Sequence, residues 1–181
     1  MLFETKRLII REFSPEDAAA VHVYASDPEV TKHMIWGPNT EEETGAFINR
    51  VIGMQKQKPR LDHEFAVVLK QDGTLIGGCG IYVSEPLQGE IGYCINPRYW
   101  RKGYASEAAA EMLRFGFKEL GLHRIYATCR PDNTGSAKVM QKAGMTYEGR
   151  LRGHIRAKGQ WIDSLQFSIL EGEYESEASE G

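Results

Sequence analysis

Small and apolar residues recur at helical spacing across positions 105, 108, 109, 112, 113, 116, 117 and 120, so the segment after Gly103 is expected to be a long helix with one greasy face toward a sheet, ended at Gly121. Upstream the period changes. Leu8 to Glu12 reads as a first strand, and Ser14-Pro15-Glu16-Asp17 as a capped helix start. Asp27-Pro28 begins a second short helical piece, and Thr40 caps a third that carries Phe47, Val51, Ile52 and Met54. Glu64 to Leu69 and Leu75 to Tyr82, joined through Asp72-Gly73, predict an antiparallel hairpin, which Glu90 to Ile95 continues as a meander. Arg124 to Cys129 is the next strand. With the helix as crossover, it should lie parallel to the strand ending at Ile95. Asn133 opens a short helix, and Met145 to Leu151 and Gln160 to Leu170 read as two last strands around a loop holding Lys158 and Gly159. The class is mixed α/β (α+β). Residues 1–171 are expected to form one domain and 172–181 an acidic, mobile tail.

Composition narrows the function more than the fold. A net charge of −3 gives no electrostatic footprint for nucleic acid. No apolar run is long enough to span a bilayer and no leader pattern is visible, so the expectation is a cytoplasmic protein without membrane partners, monomeric or homodimeric. Cys79, Cys94 and Cys129 are widely spaced within apolar strand patterns, which implies neither a disulfide framework nor a metal site.

The most telling stretch is Trp100-Arg101-Lys102-Gly103-Tyr104-Ala105-Ser106-Glu107-Ala108. A strand ends, a short basic loop with a glycine follows, and a helix begins. That arrangement aims unpaired backbone N–H groups at one point, where the helix dipole favours an anion. It is a phosphate cradle, yet neither GxxxxGK(S/T) nor GxGxxG is present. Thirty residues on, Asp132-Asn133-Thr134-Gly135-Ser136-Ala137-Lys138-Val139-Met140-Gln141-Lys142-Ala143-Gly144-Met145 gives a turn, a helical run and a glycine stop.

Together these two segments resemble the GNAT acetyltransferases, and the likeness runs from Thr5-Lys6-Arg7-Leu8 to Asp163 and the strand after it. The first segment corresponds to the family's pyrophosphate loop, patterned (Q/R)xxGx(G/A), and the second to its Nxx(S/A) helix beside the pantetheine arm. WxxGxA followed by Glu-Ala is similar to the branch that acetylates the N-termini of ribosomal proteins. Met140 stands where many relatives carry a catalytic Tyr, and Trp100 where the general motif has Gln or Arg.

The resemblance implies a central, mostly antiparallel sheet with splayed strands and acetyl-CoA in the gap, with no metal. It places the pyrophosphate on Arg101, Lys102, Gly103, Tyr104, Ala105 and Ser106, and the pantetheine along Tyr93, Cys94 and Ile95. Asn133 would bond the pantetheine, although Asn at that position also reads as an ordinary N-cap. Ser136 would sit near the sulfur as the acid. Glu90 is the first candidate for the base and His154 a weaker one. The acceptor reads as a primary amine: a protein N-terminal α-amine, or a small amine such as an amino-sugar, polyamine or amino acid. A CoA-binding module without turnover is the reading from another class.

Overall fold

A computed structural model describes residues 1–179, with side chains through residue 175. Strands β1 (Leu2–Glu4), β2 (Leu8–Glu12), β3 (Asp62–Leu69), β4 (Leu75–Glu85), β5 (Gln88–Ile95), β6 (Arg124–Cys129), β7 (Thr146–Ala157) and β8 (Gln160–Leu170) form an eight-stranded sheet in the order β1-β2-β3-β4-β5-β6-β8-β7. Every neighbouring pair is antiparallel except β5 and β6, which are joined by the crossover helix α4 (Tyr104–Lys118) and run parallel, as expected.

Strand alternation sends side chains to two cores. Phe65, Val67 and Leu69 of β3 pack in a cluster with Met112, Leu113 and Phe115 of α4, which Met140 of α5 (Thr134–Lys142) joins. Ala66 and Val68 of the same strand turn the other way, toward Val21 and Tyr24 of α1 (Ala18–Ala25), Val30 of α2 (Pro28–Thr31), and Ile48 and Val51 of α3 (Glu41–Met54). Each fully buried large side chain contributes about 1.5–3 kcal/mol. The start of α3 is fixed locally, since Glu43 N–H donates to Thr40 Oγ1 (3.2 Å) and Thr40 N–H to Glu43 Oε2 (2.8 Å), a capping box.

One irregularity in the sheet positions the site. The β5–β6 ladder pairs only Gln88 with Arg124, Gly89 with Ile125 and Glu90 with Tyr126. Beyond that point β5 runs on to Ile95 against β4, while β6 runs on to Cys129 against β8. The two strands therefore splay, and one edge of each loses its ladder partner.

Three elements differ from the sequence expectation. Leu2–Glu4 adds a short edge strand, paired with β2, that is too brief to announce itself by periodicity. β7 continues past Leu151 to Ala157 through a register shift between Leu151 and Ile155, which shortens the expected loop to a turn at Lys158-Gly159. Within the acidic tail expected over 172–181, the chain forms helix α6 (Glu171–Ser179), and residues 180–181 lie outside the described residues. It is held by long-range contacts that composition does not reveal. Tyr174 stacks on Phe117 with ring centroids 5.0 Å apart, and Lys118 Nζ pairs with Glu175 at 2.8 Å. Among the described residues no helix is long and apolar enough to cross a membrane.

Candidate active site

The basic loop is shaped as the sequence suggests. Gly103 takes φ +83° at the N-cap of α4, a left-handed conformation that glycine adopts freely, and no side chain caps the helix. The N–H groups of the first turn, Tyr104, Ala105 and Ser106, thus stay available for an anion. Arg101 and Lys102 are exposed beside them, with Lys102 Nζ lying 5.4 Å from the Tyr99 ring centroid.

What holds the loop comes from far away in sequence. Arg7 Nη1 donates to the Lys102 carbonyl (2.8 Å), and its guanidinium lies 4.4 Å from the Tyr104 ring centroid. Glu107 Oε2 accepts from Arg7 Nε (2.7 Å), and its Oε1 from Arg7 N–H (2.7 Å) and Thr5 Oγ1 (2.5 Å). Burial works to raise the Glu107 pKa, but these hydrogen bonds outweigh it and hold the carboxyl below its ordinary value. Thr5 and Arg7 open the resembling stretch, yet nothing in the sequence alone couples them to Glu107.

On the α4 face of the splay, Tyr93 and Ser136 meet. Tyr93 Oη lies 2.9 Å from Ser136 Oγ and donates to the Ser136 carbonyl at 3.1 Å. Ser136 N–H donates to Asn133 Oδ1 (3.1 Å), so Asn133 does cap α5, and its amide NH2 is left to donate elsewhere. Burial raises the Tyr93 pKa and keeps its hydroxyl protonated. Met140 is buried in the core behind this pair and offers no hydroxyl.

The opposite face of the sheet is polar near the splay. Register aligns Ala66, Gly78 and Cys94 in one cross-strand row, Glu64, Gly80 and Gly92 in the next, and Asp62, Tyr82, Glu90 and Tyr126 in a third. Two glycines leave the middle row bare. Tyr82 folds over it and donates to Glu64 Oε1 at 2.7 Å. Glu90 accepts from Thr128 Oγ1 at 3.1 Å; burial raises its pKa, while the Thr128 bond and the charges of His154 and Arg130 oppose that rise. His154, exposed on β7, is 2.8 Å from Ser164 Oγ through Nδ1. Cys94 also lies on this side, its thiol pushed up to about 12 by burial and so a poor nucleophile.

The Glu64–Tyr82 pair was not legible beforehand, because it depends on which strands neighbour each other. Burial raises the Glu64 pKa above its unfolded value despite the Tyr82 bond. The folded state then holds the proton more tightly than the unfolded chain, and stability falls as pH rises through the raised pKa. Glu64→Gln should erase that fall. In urea titrations from about pH 4.5 upward, wild type should lose stability relative to the variant as pH rises through the raised pKa. A pH-independent difference would remove the carboxyl from the account.

Two polar links bound this face at its far side. Lys158 Nζ, in the β7–β8 turn, donates to the Thr31 carbonyl at 2.7 Å, and His33 Nδ1 lies 3.5 Å from Asp132 Oδ1. Among the described residues no group of three or more His, Cys, Asp or Glu gathers as a metal site.

Residues 7–146 match the family model described as the acetyltransferase (GNAT) domain. The chain is 44% identical over 176 residues to the uncharacterized N-acetyltransferase YnaD of Bacillus subtilis (strain 168), covering 96% of this chain and 99% of that protein. A crystal structure of a GNAT-family acetyltransferase from Bacillus anthracis superposes with a TM-score of 0.85 at 40% identity, covering 95% of this chain and 99% of that one. The structure of the ribosomal-protein-S5-alanine acetyltransferase of Vibrio fischeri superposes with a TM-score of 0.77 at 25% identity, covering 96% and 98%.

Proposed function

Since this chain belongs to the GNAT acetyltransferase family, we propose that the amine it acetylates is the N-terminal α-amine of a protein, which attacks acetyl-CoA directly in a ternary complex. The observation that carries the reading is the splay beyond Glu90 and Tyr126, with the uncapped start of α4 close after its β5 side and Tyr93 and Ser136 on its α4 face.

In this reading the first-turn N–H groups of α4, with Arg101 and Lys102, take the pyrophosphate. The unpaired backbone of Tyr93 to Ile95 aligns the pantetheine amides, and an N–H at Cys94 or Ile95 polarises the thioester carbonyl. The acceptor must lose a proton first. An α-amine with a pKa of about 7.7–8.0 is roughly a tenth neutral at pH 7, whereas a lysine near 10.4 is almost wholly charged. Glu90 takes that proton through a water, and Ser136, oriented by Tyr93, returns one to the departing thiolate. A thiol of pKa about 8.5 leaves readily, so the acid adds little. Holding amine and thioester in line supplies the larger part, up to about 7–11 kcal/mol.

Glu90→Gln should lower kcat/KM by about a hundredfold and Ser136→Ala kcat by about tenfold. Glu90 works as the carboxylate, and burial raises its pKa, so wild-type kcat/KM should fall as pH drops through that raised value. Glu90→Gln should lose this limb and keep the one set by the amine. An unchanged acid limb in the variant would exclude Glu90 as the base.

The deciding experiment is thiol release from acetyl-CoA against a panel of N-terminal peptides, amino-sugars, amino acids and polyamines, with acetyl-CoA binding measured by calorimetry on the same protein. Turnover of peptides alone supports the proposal. Turnover of one small-amine class reassigns the acceptor, and binding with no turnover across the panel favours a CoA-binding module.

A further inference from the structure

Arg130 follows the last residue of β6 at the mouth of the splay and is only 8% exposed, yet its Nη1 is buried with no hydrogen-bond partner among the described residues. Burying a guanidinium is costly, and leaving its donors unmatched adds to the cost, so folded chains seldom keep one without an acceptor for it. Its neighbours do not supply one. Asp132, two residues on, is 78% exposed in its side chain and turns to His33, while Asn133 N–H bonds the Arg130 carbonyl and leaves the guanidinium alone.

The position of Arg130 indicates what the missing partner is. Glu90 and Arg130 feel each other's charge, but Glu90 is hydrogen-bonded to Thr128 and makes no ion pair with the guanidinium. The acceptor face thus carries an anion and a cation held near each other without neutralising one another. An amine alone satisfies only the anion. A molecule with a carboxyl oxygen close to its ammonium group satisfies both.

We infer that Arg130 is an acceptor-specificity residue, whose Nη1 donates to the carboxyl oxygen adjoining the reactive amine while Glu90 faces the amine itself. The inference rests on the acetyl-transfer reading above and sharpens it: the substrate class is an α-amine bearing a carbonyl or carboxylate on the same carbon. Amines lacking that oxygen, polyamines included, leave Arg130 unmatched. The oxygen has two sources, the first peptide carbonyl of a protein N-terminus or the carboxylate of a free amino acid.

The test compares wild type, Arg130→Gln and Arg130→Lys on three acceptors that share an amine on a methyl-bearing carbon: a peptide beginning with alanine, free alanine, and isopropylamine, which has the amine without the oxygen. Arg130→Gln should raise KM at least tenfold for the oxygen-bearing acceptor that wild type uses, with kcat little changed and isopropylamine unaffected, and Arg130→Lys should recover part of the loss. Whichever of peptide and free alanine shows the effect names the source. Acetyl-CoA affinity by calorimetry should be the same in all three proteins. The thermal midpoint of Arg130→Gln should not fall, since Nη1 has no hydrogen-bond partner to lose among the described residues.

Equal losses on isopropylamine, an unchanged KM, a drop in the midpoint or a loss of acetyl-CoA affinity would each overturn the assignment. If nothing turns over, it is acetyl transfer that fails. Titration of the alanine peptide into CoA-loaded protein then decides the role of Arg130: binding at least tenfold weaker in Arg130→Gln supports it, and equal binding or none to wild type overturns it.

Discussion

Gly103→Glu should lower acetyl-CoA affinity by a hundredfold or more while leaving the sheet folded. Two effects add. A residue with a Cβ at φ +83° carries a left-handed strain of about 1–2 kcal/mol. The new carboxylate would then face a pyrophosphate, and two like charges about 5 Å apart at an effective dielectric near 20 repel by about 3 kcal/mol. The fold tolerates the change because, among the described residues outside the adjoining backbone, the one atom within 4 Å of the added Cβ is Arg7 Nη2, at 3.3 Å, which must give by only a few tenths of an ångström. Calorimetry on wild type, Gly103→Glu and Gly103→Ala separates the two effects, since alanine keeps the strain and omits the charge. Wild-type affinity in Gly103→Glu would mean that the loop is not the anion site.

Gly77→Val should cost about 3 kcal/mol or more of stability, at or above the upper end for overpacking. A Cβ at Gly77 would fall far inside contact distance of the Cys94 carbonyl oxygen and within 3.0 Å of the Ile95 Cα. Both are backbone atoms, so no rotamer change relieves the clash. β4 and β5 would have to part where Gly77 pairs with Ile95, in the segment proposed to align the pantetheine. Urea denaturation should show the loss as a lower midpoint concentration, and thermal unfolding as a midpoint lowered by roughly 6–12 °C for a chain of this size, with weaker acetyl-CoA binding in parallel. Gly45→Ala serves as the contrast: it sits in α3 with nothing within 4 Å of the added Cβ and should stabilise by about 0.5–1 kcal/mol. A Gly77→Val protein as stable as wild type would show that the two strands can separate without cost.

The contrast between these glycines shows where the sequence was sufficient. Gly103 stood out through its neighbours, because a strand, a basic loop and an amphipathic helix are all local patterns. The β3–β4 hairpin was legible from Asp72-Gly73 for the same reason, and the parallel β5–β6 pair followed from a crossover helix of sufficient length. Gly77 gave no such signal, since its importance lies in a backbone atom on another strand. Composition gives no sign of helix α6, because an acidic segment predicts solvation, whereas Phe117 and Lys118 supply the contacts that dock it.

At the candidate site the division is the same. The family resemblance named Asn133 and Ser136 through the Nxx(S/A) motif and Tyr93 through the strand expected to lie along the pantetheine, and the structure brings the three together. Arg7 and Glu107, a hundred residues apart, form one anchor for the loop. Glu64 and Tyr82 meet only because strand order puts bare glycines between them, and Arg130 stands out only once burial is known. The sequence by itself determined most of the elements, their order, the family likeness and the basic loop at the start of α4, because each is set by periodicity or by residues adjacent in the chain. Only the tertiary structure decided where β5 and β6 part, which acids lose solvent and that, among the described residues, Arg130 Nη1 is buried without a hydrogen-bond partner. Those outcomes depend on the pairing and desolvation of groups far apart in sequence, and no local pattern encodes them.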